Sequence, residues 1–170
     1  MHKLRDAPGD AEAALRRQIE DLAGNGRVYV LGLGNTDRAD DGAGVLVALA
    51  LKKLFPSYSY SEHDGVEGIV LDISEKNEHA TVLFVDAADM KLDPGSIKII
   101  PRQEIRETEI TTHRVAVALM ASILERAGKT AAIICIQPMT IEFRGRVSGP
   151  VRSTINRLVS VLSQTIGSRP

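Results

Sequence analysis

At 170 residues, 44% of them hydrophobic and 25% charged, the chain is long enough for one compact domain with a buried core and has none of the composition of a disordered segment. Its 21 basic and 22 acidic residues, a formal net charge of −1, are interspersed, which argues against a broad basic field for nucleic acid or anionic lipid. Cys135 stands alone and cannot form an internal disulfide, no signal-peptide pattern opens the chain and no stretch is apolar enough to span a bilayer, so a cytoplasmic protein without membrane insertion is expected.

In chain order, apolar residues at Ala11, Leu15, Ile19 and Leu22 predict an amphipathic helix over Asp10–Ala23, with Asp10 as N-cap and Gly24 as stop. Residues 1–26 are read as an N-terminal helical extension and 27–170 as the main domain. Arg27–Leu33 is a short aliphatic run closing on Gly32 and Gly34, the pattern of a buried parallel strand. After Asp40, the series Val45, Ala48, Leu49 and Leu51 to Phe55 predicts a helix ending before Pro56. Ser57–Glu62 is expected as a strand, Val66–Ser74 as a helix and Thr81–Val85 as a strand ending at Asp86.

Asp93-Pro94-Gly95 is a turn signal, and Ser96–Ile100 after it reads as an edge strand because no helix separates it from its predecessor. A charged loop over Arg102–Thr112 leads to a strongly periodic helix from His113, carrying Ala116, Leu119, Met120, Ile123, Leu124 and Ala127 between Thr112 and Gly128. Ala131–Ile136 is a further buried strand with Cys135 as a small core residue, and Pro150 opens a last helix bearing Val151, Ile155, Leu158, Leu162 and Ile166. Alternating strands and helices imply an α/β fold with a mostly parallel sheet and helices on both faces.

In such sheets the polar residues at the carboxyl ends of strands collect in one crevice. Three segments qualify: Gly32-Leu33-Gly34-Asn35 with Asp40-Asp41, then Asp86-Ala87-Ala88-Asp89, then Thr111-Thr112-His113. A dinucleotide fingerprint fails, because Asp37 occupies its third glycine position and two carboxylates at a helix start would repel a phosphate. Asp40 and Asp41 are both explained without function as N-cap and first-turn acid; with Asp40 capping, Asp41 is free to point into the crevice as a hard oxygen ligand. Asp86 has a turn or cap reading beside a ligand reading, with Asp89 a competitor. His113 at a helix start is disfavoured in its charged form and favoured as a neutral imidazole ligand. Of the other histidines, His2 and His79 lie elsewhere and only His63 has a route to the crevice. Two carboxylates and one imidazole would make an open coordination sphere suited to nickel or zinc. No GxSxG or HExxH occurs, and Cys135 in mid-strand lacks a base.

The stretch from Val30 to Gly44, VLGLGNTDRADDGAG, resembles the opening signature of the NiFe hydrogenase maturation proteases, and the resemblance continues through Asp64-Gly65, Val85-Asp86-Ala87, Pro94-Gly95 and Thr112-His113. It implies a three-layer α/β sandwich whose five-stranded sheet has one antiparallel edge strand. It also implies that Asp41, Asp86 and His113 are the metal-binding and catalytic residues of an endopeptidase that trims the C-terminal extension of a hydrogenase large-subunit precursor. The nickel is carried by that precursor and serves as the recognition signal. The family's aspartic-endopeptidase label leaves open whether a carboxylate also acts as general base. A non-cleaving nickel-sensing chaperone and a small metal-dependent peptide or amide hydrolase are the alternatives.

Overall fold

The computed structural model describes residues 8–104 and 112–169, with side chains from Ala11 to Glu104 and from Val115 to Arg169. The elements are α1 (Pro8–Ala23), β1 (Arg27–Gly32), α2 (Ala43–Lys52), β2 (Ser59–Ser61), α3 (Val66–Glu75), β3 (Ala80–Ala87), β4 (Ile97–Pro101), α4 (Thr112–Arg126), β5 (Thr130–Ile136) and α5 (Gly149–Gly167). The sheet has five strands in the order β2-β1-β3-β5-β4, all pairs parallel except β4 with β5. The antiparallel edge is where the missing helix put it. Asp93 and Gly95 form a tight turn, with the Ser96 N–H donating to the Asp93 carbonyl at 3.0 Å and Gly95 at φ +81°. The connection after β3 holds no helix, so it reverses the chain without a crossover; β4 runs opposite to β3 and lies on the outer side of β5, its antiparallel partner.

Strand residues alternate between two cores. Val28, Val30, Leu83, Val85, Ala132, Ile134 and Ile136 face α1, α2 and α5, while Tyr29, Leu31, Val82, Phe84, Ile133 and Cys135 face α3 and α4. Burial on both faces explains why these strands read as unbroken apolar runs. Leu15, Ile19 and Ala23 of α1 are buried in the same core as α5. Among the described residues no helix is long and apolar enough to cross a membrane.

Several boundaries differ from the sequence reading. α1 begins at Pro8, so Asp10 lies inside it rather than capping it. Proline is well placed in a first helical turn, where its missing N–H is not needed. α2 ends at Lys52, and Leu54 and Phe55 instead close a turn by donating their N–H groups to the Leu51 carbonyl. The strand expected over Ser57–Glu62 shrinks to Ser59–Ser61, because Glu62–Asp64 winds into a short 3₁₀ turn capped reciprocally by Ser61 and Asp64. β3 runs to Ala87 and carries Asp86 within it. The charged loop reduces to a 3₁₀ turn at Arg102–Glu104, and its remainder before α4 falls outside the described residues.

Candidate functional site at the carboxyl edge of the sheet

The glycine-rich segment after β1 serves close backbone packing. A side-chain carbon on Gly44 would lie 2.0 Å from the Val85 carbonyl oxygen and 2.4 Å from that of Leu33. The start of α2 therefore rests directly on the ends of β1 and β3, which no other residue would permit. Gly34, at φ +121°, has the Asp41 carbonyl oxygen where its side chain would begin. These contacts bring Asp41, just ahead of α2, beside Asp86 at the end of β3.

Asp40 is not a helix cap. The segment Ala39–Gly42 is a 3₁₀ turn preceded by Arg38, its last residue Gly42 is the N-cap of α2, and neither junction has a side-chain capping bond. Instead the Asp40 carboxylate is completely buried and accepts hydrogen bonds from the N–H groups of Met139, Thr140 and Ser148 and from the Ser148 hydroxyl. A buried carboxylate needs this many donors to offset its lost hydration. Ala39 before it is held in the left-handed region at φ +46°, a conformation that costs an alanine roughly 1–3 kcal/mol and that the surrounding bonds must offset.

Asp41 is half-buried and faces the other way. It lines two adjoining clefts. The larger, about 880 Å³, is shared with Asp86, Asp89, Met90, Lys91 and Ile141 among others; the smaller, about 600 Å³, with Gly34, Arg38, Glu62, His63 and Ile141. Asp86 is likewise half-buried. Two carboxylates, one from the junction between β1 and α2 and one from the end of β3, thus share one open cleft, which is chemistry suited to a hard or borderline divalent metal. Among the described residues no group of three acidic, histidine or cysteine side chains is assembled to hold a metal by itself. His113 lies in the first turn of α4, and its side chain falls outside the described residues. Because α4 leads directly into β5, which is parallel to β3, its first turn starts from the carboxyl edge of the sheet. Ala116 and Val117 one turn later face Leu33 and Glu62 across a small groove.

The competing candidates have other partners. Asp89 is exposed, pairs with the Lys91 ammonium and accepts from the Gln137 amide at 3.3 Å; the Lys91 bond, first of several, holds its carboxyl below the usual range. His63 does line the smaller cleft, while His79 lines a separate hollow at the opposite edge of the sheet. Sequence reasoning missed three contributors. Glu62, in the 3₁₀ turn after β2, accepts the Gly34 N–H at 2.8 Å and fixes the glycine loop. Buried Gln137 accepts from the N–H groups of Met90 at 2.7 Å and Leu92 at 3.3 Å, shaping the loop after Asp86. Ile141 walls both clefts from a segment without helix or strand. Only the polar identity of Gln137 directly after a buried strand was a usable signal.

The family model described as hydrogenase maturation protease matches residues 65–165, a span that includes Asp86 and His113 while Asp41 lies ahead of it. The chain is 30% identical over 129 residues to the hydrogenase 3 maturation protease of Escherichia coli, covering 74% of this chain and 82% of that one. It is 27% identical over 150 residues to a putative hydrogenase maturation protease of Methanocaldococcus jannaschii, covering 82% and 88%. Among solved structures, the HycI endopeptidase of Escherichia coli superposes with a TM-score of 0.66 at 25% identity over 81% of this chain and 90% of that one. The NiFe hydrogenase maturation protease HycI of Thermococcus kodakarensis shares the fold, with a TM-score of 0.71 at 24% identity over 88% and 99%. With the glycine-packed carboxyl edge and its paired aspartates already in view, these matches assign the chain to the hydrogenase maturation protease family, whose members are endopeptidases.

Proposed function

We propose that this protein removes the C-terminal extension of a nickel-loaded NiFe hydrogenase large-subunit precursor and that the precursor's own nickel is the recognition signal. The observation that carries this reading is the pair Asp41 and Asp86 on one open cleft. Two carboxylates on an open cleft, with no group of three metal ligands assembled among the described residues, suit a metal that arrives with the substrate. Asp41, Asp86 and His113 would add ligands to the nickel and so hold the neighbouring peptide bond against a water molecule. The working compartment is proposed to be the cytoplasm, which the lone Cys135 fits.

The test is a gel-shift processing assay with large-subunit precursors purified with and without nickel. Truncation that requires nickel is the expected result. Binding without truncation would make the protein a nickel-sensing chaperone, and cleavage of short peptides by protein that retains its own metal would make it a general metal hydrolase. Asp41→Asn, Asp86→Asn and His113→Gln should each abolish processing, and activity retained in any two of them would overturn the site assignment.

A further inference from the structure

The segment Met139–Ser148 forms neither helix nor strand, yet it supplies Ile141 to both clefts beside Asp41. Its attachment converges on one side chain. Asp40 Oδ2 accepts from the N–H of Met139 at 2.8 Å, the N–H of Thr140 at 3.1 Å and the Ser148 hydroxyl at 2.9 Å, while Oδ1 accepts from the Ser148 N–H at 2.7 Å. The Asp40 N–H returns a bond to the Thr140 carbonyl at 3.1 Å, and the Arg144 N–H reaches the Asp37 carbonyl at 2.6 Å. Both ends of the segment are therefore held by one buried carboxylate, with Ser148 also the N-cap residue of α5. No cation pairs with Asp40 among the described residues; every donor belongs to the segment it holds. Held this way, the segment presents Met139, Ile141 and Phe143, 64%, 48% and 64% exposed, to solvent beside the clefts.

We propose that Asp40 is a positioning residue that acts through this strap: it fixes the Ile141 wall of the clefts against Asp41 and so governs how well the precursor seats, more than the rate of bond cleavage once it is seated. A carboxylate is required because all four contacts are donors, and an amide in its place would turn an N–H₂ group on at least one of them. The inference rests on the peptidase reading above for its substrate, and its test separates the two.

Wild type, Asp40→Asn and Ser148→Ala would be compared by steady-state cleavage of nickel-loaded precursor and by amide hydrogen exchange. Asp40→Asn should raise KM about tenfold or more with kcat changed by less than about threefold, the pattern of lost positioning in the binding step. Ser148→Ala, which removes one of the four contacts, should move KM in the same direction by a smaller factor. The Met139, Thr140 and Ser148 amides should lose protection while β1, β3 and β5 keep theirs. Wild-type KM in Asp40→Asn, or a fall in kcat at unchanged KM, would overturn the proposal. If Asp40→Asn loses protection throughout the sheet, Ser148→Ala decides, and a wild-type KM there overturns it equally. If wild type cuts no precursor, the peptidase reading fails on its own, and the exchange arm still decides whether Asp40 holds the strap.

Discussion

The two edges of the sheet both gather charged side chains, and they arrange them in opposite ways. At the amino edge, Arg27 pairs with Glu78 at 2.8 Å and also donates to the Tyr58 hydroxyl; the Tyr29 hydroxyl donates to Glu78 at 2.5 Å and accepts from Lys76 at 3.0 Å; the buried Lys129 ammonium donates to the Lys76 carbonyl at 2.6 Å and to that of Glu78. Cations, anion and phenols there answer one another, so the cluster ties the starts of β1, β2, β3 and β5 together and leaves little for a ligand to do. At the carboxyl edge the two neighbouring aspartates are split. Asp40 is satisfied by N–H and O–H donors inside the protein, and Asp41 is turned to a cleft where Asp86 also faces. The difference is one of arrangement: the amino-edge groups tie strand starts together, whereas Asp41 and Asp86 line one open cleft, the feature on which the proposed function rests.

The sharpest way to break this contrast is to neutralise each edge in turn. Asp41→Asn and Asp86→Asn should lower precursor processing by about 10²-fold or more while thermal unfolding stays close to wild type, since neither side chain is buried in a core. A large loss of melting temperature in both would move these residues into the structural class. Next in size, Gly44→Ala should destabilise the fold by about 3 kcal/mol or more in urea unfolding, because its new carbon would meet two carbonyl oxygens at 2.0 and 2.4 Å; normal stability would mean that the β1, β3 and α2 junction is not backbone-limited.

Glu78→Gln should cost about 1–2 kcal/mol by weakening the Arg27 and Tyr29 bonds at once, the partly exposed ion pair adding little, and should leave processing within about twofold. Smallest is Tyr29→Phe, about 1 kcal/mol near pH 8, with a pH signature. Burial first, and then the hydrogen bond to Glu78, push the Tyr29 phenol well above its ordinary value of 10.0. A group whose folded pKa lies above its unfolded one contributes fully below the unfolded value, and the contribution declines as pH rises beyond it. Wild type should therefore lose stability above pH 10 more steeply than Tyr29→Phe, and parallel alkaline unfolding curves for the two would contradict the arrangement.

Much was determined by the sequence alone. The apolar runs of β1, β3 and β5, the Pro94-Gly95 turn and the periodicity of α4 and α5 announce a mostly parallel sheet with an edge strand after the turn, because burial on two faces and helical spacing are local patterns of residue type; that this strand runs antiparallel came from the family resemblance. The same logic put Asp41 and Asp86 on the carboxyl edge, where both line one cleft. Short-range competition blurred the boundaries: Glu62–Asp64 preferred its reciprocal cap with Ser61 to a longer β2, and Asp40 looked like a cap because a helix follows it. Only the tertiary structure decided that Asp40 serves a segment about a hundred residues away, from Met139 to Ser148. It likewise decided that Gly34 and Gly44 admit backbone at close range, that Ile141 and Glu62 line the clefts, and that Gln137 holds the loop after Asp86. The physical reason is the same in each case: whether a carboxylate caps, ligates or anchors depends on which donors the folded chain brings within hydrogen-bond distance, and those donors are remote in sequence.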